Sequence, residues 1–517
     1  MFSGATRGRK GSQNSSDSSL GPNSTDTSVL LSYNSDPNRN NLSASLGTLN
    51  NTAISHDESE DLLTASAVSR GGEFELYRRR WILLSIVFFL NYTNATMWIC
   101  FAPVADTTAS YFEVSLTWVN MLTVVYFVVF IPFNFVGSYM AEKWGLKPLM
   151  ISSALINLLG GGLRIAGVYL FEDPATQFVV LFVGQTITAV AQSFILIQPT
   201  KLAAYWFAPN ERTIANAAGT IANEVGLMIA FLATPFIVNG VAQNVTNMVV
   251  IWSLPSVIPA ILCVVFVNTG SYPPIAPSAS GAVASMGFQD SMSQCLRSKQ
   301  FWFLMLSFGT GLAAFSTLVA LLEQVLCVNG YTDTFSGIAS TVSIGCGCVG
   351  AAIFGTIADC TKKFDFIYKT CYLLACFGVI LFAWAATKSD NSVFILLGVG
   401  WFGFFGLVLF PIALELSVEC TYPVSESASS GIVILAGQLI GIVMLVGLPL
   451  LGQDLTEKQE HIQVCAEGVG KSDLWISMLV LAAYICLIGV VTVVFFKSPD
   501  KRIKTEAAVI SNSAHNC

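Results

Sequence analysis

The chain has 517 residues, of which 54% are hydrophobic and 11% charged, with a formal net charge of −7. A soluble globular domain carries about 25% charged residues, so this composition points to lipid as the solvent and away from a water-soluble enzyme. The acid is concentrated in the N-terminal tail and one late loop, which is not the footprint of a nucleic-acid-binding face.

Residues 1–72 are rich in Ser, Asn and Asp ("GSQNSSDSSLGPNSTDTS", Gly11–Ser28) and poor in aromatics. They cannot bury enough apolar surface to fold, and are expected to form a disordered cytosolic tail. No basic segment followed by an apolar run opens the chain, so no cleavable signal is expected. Two hexamers, "DTSVLL" (Asp26–Leu31) and "ESEDLL" (Glu58–Leu63), fit the acidic dileucine pattern read by endosomal sorting adaptors.

A bilayer span needs about 20 mostly apolar residues. Six are predicted at 81–103, 116–140, 148–171, 177–198, 212–238 and 247–268, and six more at 300–324, 336–358, 366–386, 392–413, 427–450 and 474–496. The segment 269–299, with "SYPPIAPSASGAVAS", reads as a cytosolic linker between halves 75–268 and 300–498, and 499–517 as a cytosolic C-terminal tail. The fold class is therefore an all-α membrane protein of twelve transmembrane helices in two pseudosymmetric six-helix halves.

Basic residues set the orientation. With the N-terminus inside, the inner flanks and loops hold Arg78, Arg79, Arg80, Lys143, Lys147, Lys201, Arg212, Arg297, Lys299, Lys362, Lys363, Lys369, Lys497, Lys501, Arg502 and Lys504; the outer loops hold Lys388, Lys458 and Lys471. Sixteen against three puts both termini in the cytosol. Asn244 in "NVT" then lies outside as a glycosylation acceptor, while the tail sequons at Asn14 and Asn23 stay bare. Of thirteen cysteines, Cys327 and Cys465 fall in outer loops, where a disulfide is allowed. Cys346 and Cys348 read as small packing residues rather than metal ligands.

The halves echo one another. "SYMAEKWGLK" (Ser138–Lys147) follows span 2 and "GTIADCTKK" (Gly355–Lys363) follows span 8, each with a small residue, an acid four later, then bases. This resembles the G-x-x-x-D loop signature of the major facilitator superfamily, with Ser138 and Glu142 departing from the pattern in the first copy. The acids Glu142 and Asp359 with the bases Lys143 and Lys362 would act as a gate latch. A second echo places Asn223 twelve residues beyond Glu211 and Gln438 twelve beyond Glu426, each about 18 Å up its helix.

Polar groups facing lipid are costly, so those inside spans turn toward the bundle or a water-filled cavity. They are Asn91, Asn94, Asn120, Arg164, Gln185, Gln192, Asn223, Glu224 and Gln438. Asn91, Asn94 and Trp98 are spaced to stack on one face of span 1. Each amide has a second reading, an interhelical hydrogen bond. Glu224 is the one mid-span acid suited to carry a proton. His56, His461 and His515 all lie outside the spans, no P-loop appears, and no nucleophile–base pair is spaced for catalysis. No enzyme activity, metal or cofactor is expected, and no nucleic-acid partner.

The stretches "YRRRWILL…NATMWICFAPVAD", "GQTITAVAQSFIL…PTKLAAYWF", "ALLEQVLC" and "ALELSVECTYPVSESASSG" resemble the feline leukaemia virus subgroup C receptor-related branch of that superfamily, solute carrier family 49, over about residues 75–498. The resemblance implies facilitative carriage of choline or ethanolamine, with haem export also proposed in the branch. It implies that Trp98 is a cation–π wall, supported by Asn94, Gln192 and Gln438. A span-7 tyrosine that closes the aromatic cage in choline-carrying relatives is Ser316 here, beside Phe315. The expected function is alternating-access transport of a small organic solute, a choline- or ethanolamine-like cation, across the plasma membrane or an endolysosomal membrane. The alternatives are a haem or porphyrin exporter and a non-transporting receptor or scaffold.

Overall fold

The computed structural model describes residues 77–207, 211–267, 288–388, 390–421, 424, 426–466 and 472–499. The tail with its dileucine hexamers, the sequons at Asn14 and Asn23, most of the 269–299 linker and the end of the chain lie outside the described residues.

Twelve helices are long and apolar enough to cross a membrane. They are α1 (Arg79–Phe112), α2 (Leu116–Ala141), α3 (Leu146–Leu170), α4 (Pro174–Ala203), α5 (Ile214–Val238), α6 (Asn244–Phe266), α7 (Lys299–Cys327), α8 (Asp333–Ala358), α9 (Phe364–Ala385), α10 (Ser392–Thr421), α11 (Ser429–Leu451) and α12 (Trp475–Phe495). Each matches one predicted span. The linker reading needs one amendment, because Phe288–Arg297 forms a helix leading into α7. Its Phe288, Met292 and Cys295 recur at helical spacing, and Cys295 is buried.

Local chemistry sets the ends. Asp173 accepts from the Thr176 N–H (2.9 Å) and hydroxyl (2.7 Å) ahead of Pro174, the first residue of α4. Those two donors hold its carboxyl below the usual carboxylate range. After α2 the chain reverses at Gly145, whose φ of 80° lies where a side chain is strained. The matching turn after α8 is made by Lys362 at φ 55°.

The closest packing within a half is made by small residues. A Cβ added to Gly160 of α3 would come within 2.5 Å of the Thr188 methyl on α4, and one on Gly184 within 2.8 Å of the Arg164 backbone N. Without a hydrophobic drive between helices in lipid, such backbone approach is what holds the pair together. Large apolar side chains instead face outward, with Val443 72% and Leu450 77% exposed, as a lipid-facing surface requires.

The halves meet along α5 with α8 and α2 with α11. Thr341 donates to the Met228 carbonyl at 3.3 Å on the first seam. On the second, a Cβ at Gly441 would lie 3.1 Å from Phe127 and 3.8 Å from Ala313 of α7. At the end opposite Arg79 and Phe495, Asn120 and Gln324 exchange amide hydrogen bonds of 2.7 and 3.3 Å between α2 and α7. The Ala466 N–H donates to Asp106 at 2.6 Å, and Cys327 is disulfide-bonded to Cys465.

Candidate functional site

The site is built around a break in α1. Pro103 has no N–H to offer the Ile99 carbonyl, and its ring crowds that carbonyl. The first helical segment accordingly stops at Ile99, passes through a 3-10 turn at Ala102–Val104 and resumes over Ala105–Phe112. Carbonyls freed near the break need donors in a medium without water. Arg164 of α3 donates to the Met97 carbonyl at 3.0 Å and to the Cys100 sulfur at 3.1 Å, with its guanidinium over the Phe101 ring. Gln185 of α4 donates to the Met97, Trp98 and Leu122 carbonyls at 3.2, 3.4 and 3.2 Å. Both side chains are fully buried, so they brace the backbone that carries Trp98.

Trp98 is half-buried and donates to the Thr123 carbonyl at 3.4 Å. Its ring centroid lies 6.0 Å from Tyr126 and 5.8 Å from Phe127, both on α2. Phe127 reaches the Gly441 seam, which joins the Trp98 neighbourhood to α11 and α7. Gln438 lies one turn before Gly441, and Ser316 one turn after Ala313.

The amide stripe on α1 behaves otherwise than expected. Asn91 donates to its own helix at the Val87 carbonyl, 3.0 Å away. Asn94 spends its NH₂ on Asn157 Oδ1 and the Thr188 carbonyl, both at 2.9 Å, in the seam of α1, α3 and α4. Its donors are consumed by helix packing, while Oδ1 is buried without a partner among the described residues. Phe315 is buried and stacks on Phe402 of α10 at 6.1 Å, inside the C-terminal half.

The remaining amides differ. Gln192 is buried, and Asn223 and Gln438 half-buried; none has a side-chain hydrogen-bond partner among the described residues. Asn223 sits between Gly219, which packs on Pro199 of α4, and Gly226, which packs on Tyr92 and Ala95 of α1. The half-buried Ser316 hydroxyl is also unpartnered among the described residues. Glu224, the next residue along α5, keeps Oε2 buried without a partner and acts electrostatically on Cys348 of α8, on the inter-half seam.

A model of the Major Facilitator Superfamily matches residues 84–445. A protein described as Solute carrier family 49 member A3, from Xenopus tropicalis, is 34% identical over 457 residues, which is 86% of this chain and 94% of that one. The chain belongs to solute carrier family 49. A second relative of this family 49 chain, the choline/ethanolamine transporter flvcr2a of Danio rerio, is 28% identical over 393 residues, 73% of this chain and 82% of that one. The solved xylose transporter XylE from E. coli aligns with a TM-score of 0.59 at 10% identity, over 81% of this chain and all of its own, and so shares the fold. A membrane transporter family, not an enzyme family, is the consistent result.

Other predicted residues of the family 49 chain fall as follows. Glu142 and Asp359 directly follow α2 and α8, in helical turns that run on to Lys143 and Thr361, and nothing is described of their side chains. Lys143 is exposed and donates to the Tyr139 hydroxyl at 2.7 Å, and the Lys362 ammonium lies 5.9 Å from the Phe364 ring centroid. Asn244 opens α6 with its amide donating to the Val238 carbonyl at 3.1 Å. The residues that sequence reasoning missed are Tyr126 and Phe127, the aromatic neighbours of Trp98. Their signal, "VVYFVVF", does not stand out in a chain with 36 phenylalanines.

Proposed function

We propose that this transporter carries a small organic cation of the choline or ethanolamine type, by facilitated alternating access between its halves. The observation that supports the reading is the set of three amides without a side-chain partner among the described residues, Gln192, Asn223 and Gln438, contributed by both halves. An unpaired amide in lipid is costly, and a ligand with a hydroxyl or ammonium head would satisfy it. The Trp98 face supplies a cation–π contact worth about 0.5–2 kcal/mol, and Phe127 continues the aromatic surface. The description of flvcr2a as a choline/ethanolamine transporter supports the same substrate class. With Ser316 in place of a second ring, the cage holds a quaternary head on one aromatic wall and favours a small head group.

The test is uptake of labelled choline and ethanolamine in cells expressing the full chain, with both dileucine hexamers mutated to hold it at the plasma membrane. Saturable uptake lost in Trp98→Ala at unchanged surface expression is the expected result. Flat uptake at confirmed surface expression would overturn the substrate assignment.

A further inference from the structure

Glu323, near the last turn of α7, is 1% exposed, and neither of its carboxylate oxygens has a hydrogen-bond partner among the described donors. Facing it across the inter-half boundary is Asp106 of α1, 3% exposed, with a carboxylate oxygen within 4.8 Å of one of Glu323's. Asp106 also accepts from the Thr107 N–H at 2.5 Å and hydroxyl at 3.3 Å, and from the Ala466 N–H at 2.6 Å. The groups acting electrostatically on Glu323 are Asp106 and Asp333, the first residue of α8. Both are carboxyls. An isolated buried carboxylate is expensive enough that the group is neutralised instead.

We infer that Asp106 and Glu323 form a cation-binding site at the gate opposite Arg79 and Phe495, and that its occupant is a proton shared between the two carboxyls. Coordination chemistry selects the proton. The potential ligand atoms of Asp106, Glu323 and Cys327 lie within 4.8 Å of one another. The Cys327 sulfur, however, is bonded to Cys465 and offers no thiolate. Two carboxyls fall short of the four ligands zinc takes and the six to eight oxygens of calcium. A proton needs one donor oxygen and one acceptor oxygen, which this pair supplies.

The shared proton ties α1 of one half to α7 of the other. When the halves part at this end both carboxyls gain water, and the proton leaves to the solution on that side. Reclosure takes one up from the same side, so pH sets how often the gate opens while no net proton crosses. The gating consequence rests on the alternating-access reading above; occupancy of the site does not.

Hydrogen–deuterium exchange on the purified full chain in lipid nanodiscs, without any substrate, tests this. Peptides covering Ala105–Phe112 and Leu318–Cys327 are followed at about pH 6 and about pH 8, after correction for the intrinsic rate. In the wild type, exchange is expected to be at least about threefold faster at the higher pH. Glu323→Gln, which keeps a fixed donor, should exchange as slowly as the wild type at low pH and show no pH response. Asp106→Asn, which keeps an acceptor for Ala466, should behave the same way and serves if the first variant folds poorly. A wild-type pH response retained in both variants would overturn the proposal. So would protection restored at high pH by calcium or zinc ions, which would make the site a metal site. Because no substrate enters, failure here is separate from failure of the cation-transport reading.

Discussion

Arg164 donates to the Met97 carbonyl at 3.0 Å from within a membrane-spanning helix, with none of its surface exposed. A buried cation without a carboxylate partner is expensive, and here its hydrogen bonds go to the backbone and sulfur beside a proline-induced break. The rigidity of the Trp98 backbone is what this expense maintains. Arg164→Met is expected to orphan part of the break, at about 1–3 kcal/mol per carbonyl left unsatisfied. Arg164→Lys keeps the charge without the planar fork and should destabilise more than Met. Thermal unfolding midpoints of the two variants in one detergent check the order; a Lys variant as stable as wild type would contradict the fork argument.

Asn120 and Gln324 offer a second check, on how the halves close. Their reciprocal amide bonds join α2 to α7. A double-mutant cycle with Asn120→Ala and Gln324→Ala should return a coupling of about 0.6–2 kcal/mol in stability. Each single variant should also raise hydrogen exchange at that end. A coupling near zero would mean that the pair is not a closing contact.

The twelve spans were legible because hydropathy is a strong, local signal and lipid permits few alternatives. The break in α1 was not read, although Pro103 at the end of the predicted span 81–103 dictates it without reference to neighbours. Nor was the fate of each amide. Asn94 and Gln192 are the same kind of group in the same kind of helix, yet one finds Asn157 and Thr188 across a seam and the other finds no side-chain partner among the described residues. What decides between them is which neighbouring helix each faces: Asn94 of α1 meets Asn157 of α3 and Thr188 of α4, a tertiary relation that spacing within one helix does not carry. The pairing of Asn223 with Gln438 rests on repeat position alone, each twelve residues beyond an acid at the start of its helix. Phe315 and Ser316, adjacent in sequence, are about 100° apart around α7, and only Phe315 stacks on Phe402.

The same contrast between Asn94 and Gln192 yields a prediction about ligand binding. Asn94→Ala removes two interhelical hydrogen bonds and should lower the yield of folded protein. Gln192→Ala removes none, so the folded yield and melting midpoint should stay near wild type. Its effect should fall on substrate affinity, about three- to tenfold for one neutral hydrogen bond of about 1 kcal/mol. Parallel measurement of folded yield and uptake KM separates the two roles; a Gln192→Ala variant that misfolds as Asn94→Ala does would place it in packing.

The Cys327–Cys465 disulfide closes a sequence separation of 138 residues and pins the loop before α12 to the end of α7. That loop also donates Val464 N–H to the Cys327 carbonyl at 3.1 Å and Ala466 N–H to Asp106 at 2.6 Å. Cys465→Ser should therefore do two things at once. It should cost about 2–5 kcal/mol of stability, the usual range for a native disulfide. It should also loosen the Asp106 contact, because Ala466 is the next residue and loses its anchor. Reducing agent should lower the wild-type melting midpoint and leave Cys465→Ser unmoved. Exchange at Ala105–Phe112 should rise in the variant even at low pH, where the shared proton holds the carboxyl pair together. A variant that melts early but keeps that segment protected would show that the disulfide stabilises the loop alone and takes no part in the gate.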